Sequence, residues 1–427
     1  MLDVVALLDP AAGLVTSAQV VPPAAGESPF WRYALELDCG HHSMTRDRGE
    51  LDPCVAGACA STRTRAVVRA AGEAVERLAL HAVADLSVTA TELGDKALRY
   101  WDPAVALADP PGPERSLRWF TATRLLDGSP RFVPDGLVVY PAGGGQAGFD
   151  PGPSGAASGV GYWPALHSAL LETVERDAVI VGWARQQRLW RVDVDAELAA
   201  APADPEWAEL RRSVGLVRRV GLDVLFARIP LALPGLTCVV GGVRGAGRFH
   251  PLISLGAKVS WHPAAALYGA LHESMQLYPA LLHFETPDDH REVVVTESDR
   301  MRFLASASGP PALSGWLDDA VPHQVPATPG EPEAEGIQAQ TEILVARLLA
   351  DGLDPYLVDL SSQLPPRVRA LGWSAVKVVP VGYQPLRIDE RMTSGWHRGR
   401  LASLEVRTGS TARCDPQDPC PLPHPLP

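Results

Sequence analysis

A chain of 427 residues with a formal net charge of −12 can bury a large core, and its acidity argues against general nucleic-acid binding. No apolar run reaches membrane-spanning length, because the best stretch, around Val220 to Val240, is broken by Arg228, Pro230 and Pro234. The N-terminus carries Asp3, Asp9 and Pro10 where a signal peptide would be basic, and the six cysteines are sparse, so a cytoplasmic protein is expected.

Residues 1–50 form a strand-rich N-terminal segment, expected to be integral to the fold, ahead of a main domain over residues 51–427. In the segment Arg32 to Cys39 (RYALELDC), apolar and polar residues alternate as in a half-buried strand. Cys39, His41 and His42, with Cys54 and Cys59, are candidate zinc ligands, although their spacing fits no common zinc pattern. Arg65 to Leu80 is alanine- and leucine-rich and predicts a helix. Strands are expected in LRWFTATRLLDG and PRFVPDGLVVYPA, joined by a hairpin at Asp127-Gly128. The glycine-rich stretch from Pro141 to Gly159 lacks a P-loop's lysine and spacing and is expected to be a flexible connector.

A second helix is predicted from Leu166 to Trp183, strands near Val192, Val224 and Cys238, and a third helix from His262 to Leu277. Pro322 to Gly336 is an acidic, proline-rich linker or surface loop. A helix (Thr341 to Leu349) and strands at Tyr356 to Leu360 and Ala375 to Val381 follow. The mixture indicates one α/β unit of mixed α+β character. The proline-rich tail, 419–427, ends in PLPHPLP and favours an extended polyproline rod.

The first two helices each carry E-x-x-E-R: Glu73, Glu76 and Arg77 in one, Glu172, Glu175 and Arg176 in the other. Residues three and four apart share a helix face, so each set points one way. A single such triplet also describes an ordinary solvated face with i,i+4 ion pairs. Two copies on apolar helices make a different case, since four facing carboxylates need a counter-charge. A divalent metal is the simplest, and all-oxygen ligands favour Mg²⁺ with phosphate completing its shell. The third helix places Glu273 and Gln276 on one face.

Together, GEAVER (Gly72 to Arg77), LETVERDA (Leu171 to Ala178) with Trp183 beyond it, HESMQ (His272 to Gln276) and VVPVGYQPL (Val378 to Leu386) resemble the YcaO family. The resemblance covers roughly residues 50 to 427. It implies a YcaO-like fold whose acidic helices converge around a nucleotide site. Glu73, Glu76, Glu172 and Glu175 would hold Mg²⁺, and these four with Arg77, Arg176, Glu273 and Gln276 would bind ATP.

The proline terminus resembles that of the azoline-forming cyclodehydratases. The implied reaction is ATP-dependent conversion of Cys, Ser or Thr in a ribosomal precursor peptide to azolines, with the terminal carboxylate of Pro427 as the proton-transfer group. A separate leader-peptide-binding partner resembling ubiquitin-activating enzymes, and a homodimer, are further implications of the family. The chain departs from the family pattern at Ala58-Cys59-Ala60 (for G-K-G), Arg69 (for serine), Pro164 (for an acid) and Tyr278 (for arginine). Two alternatives stay open: a scaffold with a degenerate nucleotide site, and thioamide or amidine formation.

Overall fold

A computed structural model describes residues 4–24, 28–39, 52, 54–84, 86–141, 148–289, 293–322 and 335–426. The strands are β1 (Val15–Val21), β2 (Trp31–Leu37), β3 (Val55–Ala60), β4 (Leu86–Thr89), β5 (Ser116–Arg124), β6 (Pro130–Pro134), β7 (Ala156–Val160), β8 (Trp190–Arg191), β9 (Asp223–Ile229), β10 (Thr237–Ala246), β11 (Pro251–Ser260), β12 (Val321–Pro322), β13 (Asp354–Asp359) and β14 (Trp373–Val381). They form three sheets, ordered β1-β2-β3, β11-β10-β9-β8-β12 and β4-β5-β13-β14-β7, with β6 paired to β5. All pairings are antiparallel except the short β8–β12 contact.

The three acidic helices tie these sheets together. The first, Arg63–Ala79, is capped by Thr62, whose hydroxyl accepts from the Arg65 amide. It buries Ala66, Ala70, Ala71, Ala74 and Val75, and its small side chains let it lie close on β2 and β3 while also touching β7 and β14. The second, Tyr162–Arg185, packs on β7, β14 and β11. Pro164 falls in its first turn, where a missing amide costs no helical hydrogen bond. The third, Pro263–Phe284, packs on β10, β11 and β3. Each helix therefore bridges a different pair of sheets, and their glutamates come within electrostatic reach of one another.

Most expected elements are present with ends shifted by a few residues, including the Asp127-Gly128 hairpin, where Gly128 takes φ +70°. One expectation is corrected. Within the supposed connector 141–159, residues from Ala156 onward belong to β7, which pairs with β14. Its Gly159 sits where an added Cβ would lie 2.6 Å from the Ala165 amide nitrogen, so the glycine marks close packing against the second helix. Residues 142–147 of that stretch, most of the 322–336 linker, His41, His42 and Pro427 lie outside the described residues.

Strand β11 is buried on both faces, so its sequence shows no alternation. Its Gly256 faces the third helix, and a Cβ there would come within 2.5 Å of both Ala270 O and Glu273 Cβ. Gly256→Ala must push the Glu273 turn off the sheet. The expected cost is about 1–3 kcal/mol, read as a lower urea midpoint with an unchanged slope.

Candidate active site

The two E-x-x-E-R sets make the intrahelical pairs their spacing requires. Arg77 Nε donates to Glu73 Oε1 at 2.9 Å, and Arg176 Nε to Glu172 Oε1 at 3.3 Å. Both glutamates keep a solvent-facing edge, Glu172 being 14% exposed and Glu73 31%. The Glu76 carboxylate, one turn along, makes no hydrogen bond or ion pair among the described residues. Burial, and then the Glu73 and Glu172 carboxylates, raise its pKa well above the ordinary carboxylate value. Burial raises Glu172 as well, with Arg176 opposing the shift.

Glu175 and Glu273 are held differently, by the backbone of β11. The Val259 amide donates to Glu175 at 3.0 Å and the Ala257 amide donates to Glu273 at 3.1 Å. Between them Lys258 reaches Glu175 at 3.2 Å. Burial pulls the Lys258 ammonium down in pKa, but Glu175, Glu273 and Glu172 outweigh it and leave the group above its ordinary value. Glu273 is raised to about 7 by burial and by the Glu175 charge. Gln276, by contrast, is exposed and donates to the Gly57 carbonyl at 2.9 Å, at the start of β3.

Lys377, from β14, is a second cation of the cluster. It donates to Gly152 O at 2.7 Å and is buried, and burial lowers it to about 8 despite the pull of Glu172 and Glu76. Neither lysine belongs to a motif of the sequence. Their signal was available: the chain has only three, Lys96, Lys258 and Lys377, and the last two interrupt apolar strand sequences. Asp177, following the second cluster, points away from it and anchors the far side of the helix. It accepts Arg400 at 2.6 Å and the Gln384 amide at 2.9 Å, and Arg400 also reaches Asp351 at 2.9 Å.

The proline-rich tail turns inward. The Leu422 carbonyl accepts from Trp183 Nε1 at 3.0 Å, His424 Nε2 lies 2.7 Å from Arg387 O, and Leu426 is buried in the main core. Burial drives the His424 ring well below its ordinary pKa, and the charges of Arg300, Arg387 and Arg176 act in the same direction. The tail thus comes within electrostatic reach of the second cluster's arginine. Pro427, the proposed proton-transfer group, lies outside the described residues.

The donor set suits Mg²⁺ with a phosphorylated ligand. Among the described residues, no three of these carboxylates bring oxygens within 4.8 Å of one another. Mg²⁺ is commonly held by one or two carboxylates with water and phosphate in the remaining positions, so such a site does not require three converging carboxylates. Arg69, one turn before Glu73, has a buried Nε with no hydrogen-bond partner and lines a hollow with Arg65, Tyr268 and His272. An anionic ligand would satisfy that guanidinium.

Proton competition gives the expected pH dependence. Glu273 ionises only above about pH 7, and Glu76 is also raised, so a cation at these carboxylates must displace protons at lower pH. Mg²⁺ affinity, measured calorimetrically with a non-hydrolysable nucleotide, should rise between about pH 6 and about pH 8. The raised Glu273 pKa costs the metal-free fold stability as pH climbs from the ordinary carboxylate value to about 7, with no further loss above it, so the thermal shift on adding Mg²⁺ should grow with pH up to that point. Glu273→Gln should flatten both trends.

Comparison with known proteins bears on this geometry. A family model described as YcaO cyclodehydratase, ATP- and Mg²⁺-binding, matches residues 57–382. No curated protein sequence matches the chain significantly. Among solved structures, a heterocyclase in complex with substrate and cofactor is similar with TM-score 0.71 and 19% identity, over 98% of this chain. The chain spans 56% of that protein's length. YcaO from Methanopyrus kandleri bound with AMPPCP and Mg²⁺ gives TM-score 0.59 and 20% identity over 90% of each chain. The E. coli microcin synthetase McbBCD complex gives TM-score 0.56 and 14% identity, over 92% of this chain and 95% of that one. With three quarters of its length inside the family match and its acidic helices meeting at a shared cluster, the chain belongs to the YcaO family, whose cofactors are ATP and Mg²⁺.

Proposed function

We propose that the protein is an ATP-dependent cyclodehydratase acting on a ribosomal precursor peptide, converting Cys, or Ser and Thr, to azolines. The observation carrying this reading is the partly buried cluster of Glu73, Glu76, Glu172, Glu175 and Glu273 around Lys258 and Lys377, with the C-terminal tail drawn towards it. When bound, ATP with Mg²⁺ supplies the phosphoryl group that turns the amide oxygen into a leaving phosphate, and the peptide loses one water per ring formed.

The chain's own residues provide the setting for that transfer. Glu76 and Glu172 lie in the half-exposed part of the cluster and are the metal-facing carboxylates of this reading. Glu73 is oriented by Arg77, and Glu172 by Arg176. Glu175 is tied to Val259 and Lys258, so its role is to fix β11 and Lys258 within the site, with its second oxygen left for the metal. Glu273 joins it through Ala257, and Gln276 holds the third helix to the start of β3. Arg69 is assigned to phosphate, in place of the serine common in the family. Lys377 lies in the same charge network and is a candidate to neutralise charge that develops in the transition state.

Delivery of substrate is assigned to a separate leader-peptide-binding partner resembling ubiquitin-activating enzymes. The similarity to a chain of the multi-protein McbBCD assembly supports this. A homodimer is part of the same reading. The carboxylate of Pro427 is proposed as the proton-transfer group, supported by the inward course of residues 422 to 426.

Two sets of variants test the proposal. Glu76→Gln should reduce phosphate release from ATP, in the presence of peptide and partner, by ~100-fold, with the loss of water by mass spectrometry falling in step. If the parent protein binds peptide or partner but never consumes ATP, the reading fails in favour of a scaffold. Appending one glycine after Pro427 displaces the carboxylate without touching the cluster. Nucleotide binding should persist while ring formation falls at least about tenfold, the low end for loss of a positioned proton-transfer group.

A further inference from the structure

Cys39 follows the end of β2, Cys54 immediately precedes β3, and His81 lies just beyond the first acidic helix. The antiparallel pairing of β2 with β3 puts the two cysteines at one end of the N-terminal sheet, where the Cys54 carbonyl accepts from the Leu37 amide at 2.8 Å. The first helix packs on both strands and delivers His81 to the same end, with the His81 amide donating to Leu78 O at 3.1 Å. The Cys54 amide donates to the Asp52 carboxylate at 2.9 Å, which fixes the turn that presents its thiol. The thiol sulfurs of Cys39 and Cys54 and an imidazole nitrogen of His81 all lie within 4.8 Å of one another.

These distances are those of a metal's ligand shell. Zinc bonds of about 2.3 Å to sulfur and about 2.0 Å to nitrogen, set tetrahedrally, place the two donors about 3.5 Å apart. Cys39 Sγ lies 3.4 Å from His81 Nε2. The three residues are half-buried, shielded enough to bind firmly and open enough for an ion to enter. Cys59, also a candidate from sequence, takes no part, since its buried thiol donates to His272 O at 3.0 Å on the other side of the sheet.

We propose that Cys39, Cys54 and His81 bind a zinc ion that ties the adjacent ends of β2 and β3 to the end of the first acidic helix. Binding converts the two thiols to thiolates and releases two protons, and a fourth position is left to water or a further donor. The ion would sit a few residues past Glu76 on the same chain segment. It would hold the C-terminal end of that helix against the sheet, so its role is structural and its existence is independent of the reaction proposed above.

The test uses the untagged full-length protein purified under reducing conditions. Plasma mass spectrometry should find about one zinc per chain, and X-ray absorption at the zinc edge should show sulfur neighbours at about 2.3 Å. Cys39→Ser and His81→Ala should each lower zinc content at least about tenfold, and the cobalt-substituted parent should show a thiolate-to-metal charge-transfer band. Should the variants fail to fold, the absorption spectrum of the parent still decides. A shell of oxygen and nitrogen alone, a zinc-free protein with both thiols open to alkylation, or a Cys39–Cys54 disulfide by mass spectrometry would each overturn the assignment.

Discussion

Several carboxylates brought together away from bulk water repel one another and lose hydration, and the rest of this structure is arranged around containing that cost. Two devices contain it. Lys258 and Lys377 enter from opposite strands, β11 and β14, and place positive charge among Glu76, Glu172, Glu175 and Glu273. The amides of Ala257 and Val259 supply fixed dipoles that no proton can neutralise. The compensation is partial, and the Glu76 carboxylate has no hydrogen-bonded partner among the described residues. That residual charge imbalance is what a site for a hard cation needs.

The helix arrangement follows from the same constraint. Each acidic helix bridges two of the three sheets, so none of them can move without disturbing two packing surfaces. Small residues make the contacts close: the alanines of the first helix, Gly159 of β7 and Gly256 of β11. On the outer side of the second helix, Arg400 joins Asp177 and Asp351 and lies 3.8 Å from the Tyr383 ring centroid. This buried network holds the β14 turn and the C-terminal helix Arg398–Thr408 against the helix that carries Glu172 and Glu175. Removing one partner would leave a buried charge uncompensated, at a cost of about 3–5 kcal/mol.

The departures from the family pattern gain meaning from their positions. Pro164 occupies a first helical turn and leaves the second helix intact. Cys59 packs against the third helix, while Arg69 lines a hollow one helical turn from Glu73 and leaves its buried Nε without a hydrogen bond.

By itself the sequence determined the three acidic helices, the Asp127-Gly128 hairpin and the strands Ala375 to Val381 and Tyr356 to Leu360. Each of these is written in local periodicity or turn chemistry within a dozen residues. It also marked Glu73, Glu76, Glu172 and Glu175, because i,i+3 spacing on an apolar helix is itself a statement about a face. Strand β11 is not legible in the sequence because burial on both sides erases alternation, and β7 because its glycines and alanines imitate a loop. Only the tertiary structure decided that Glu175 and Glu273 would share one strand's amides, and that two of three lysines would meet the carboxylates. It alone also decided that Cys39 and Cys54 would meet His81 rather than Cys59. Those contacts join residues tens to hundreds of positions apart, and no local spacing encodes a distance that the packing of helices on sheets creates.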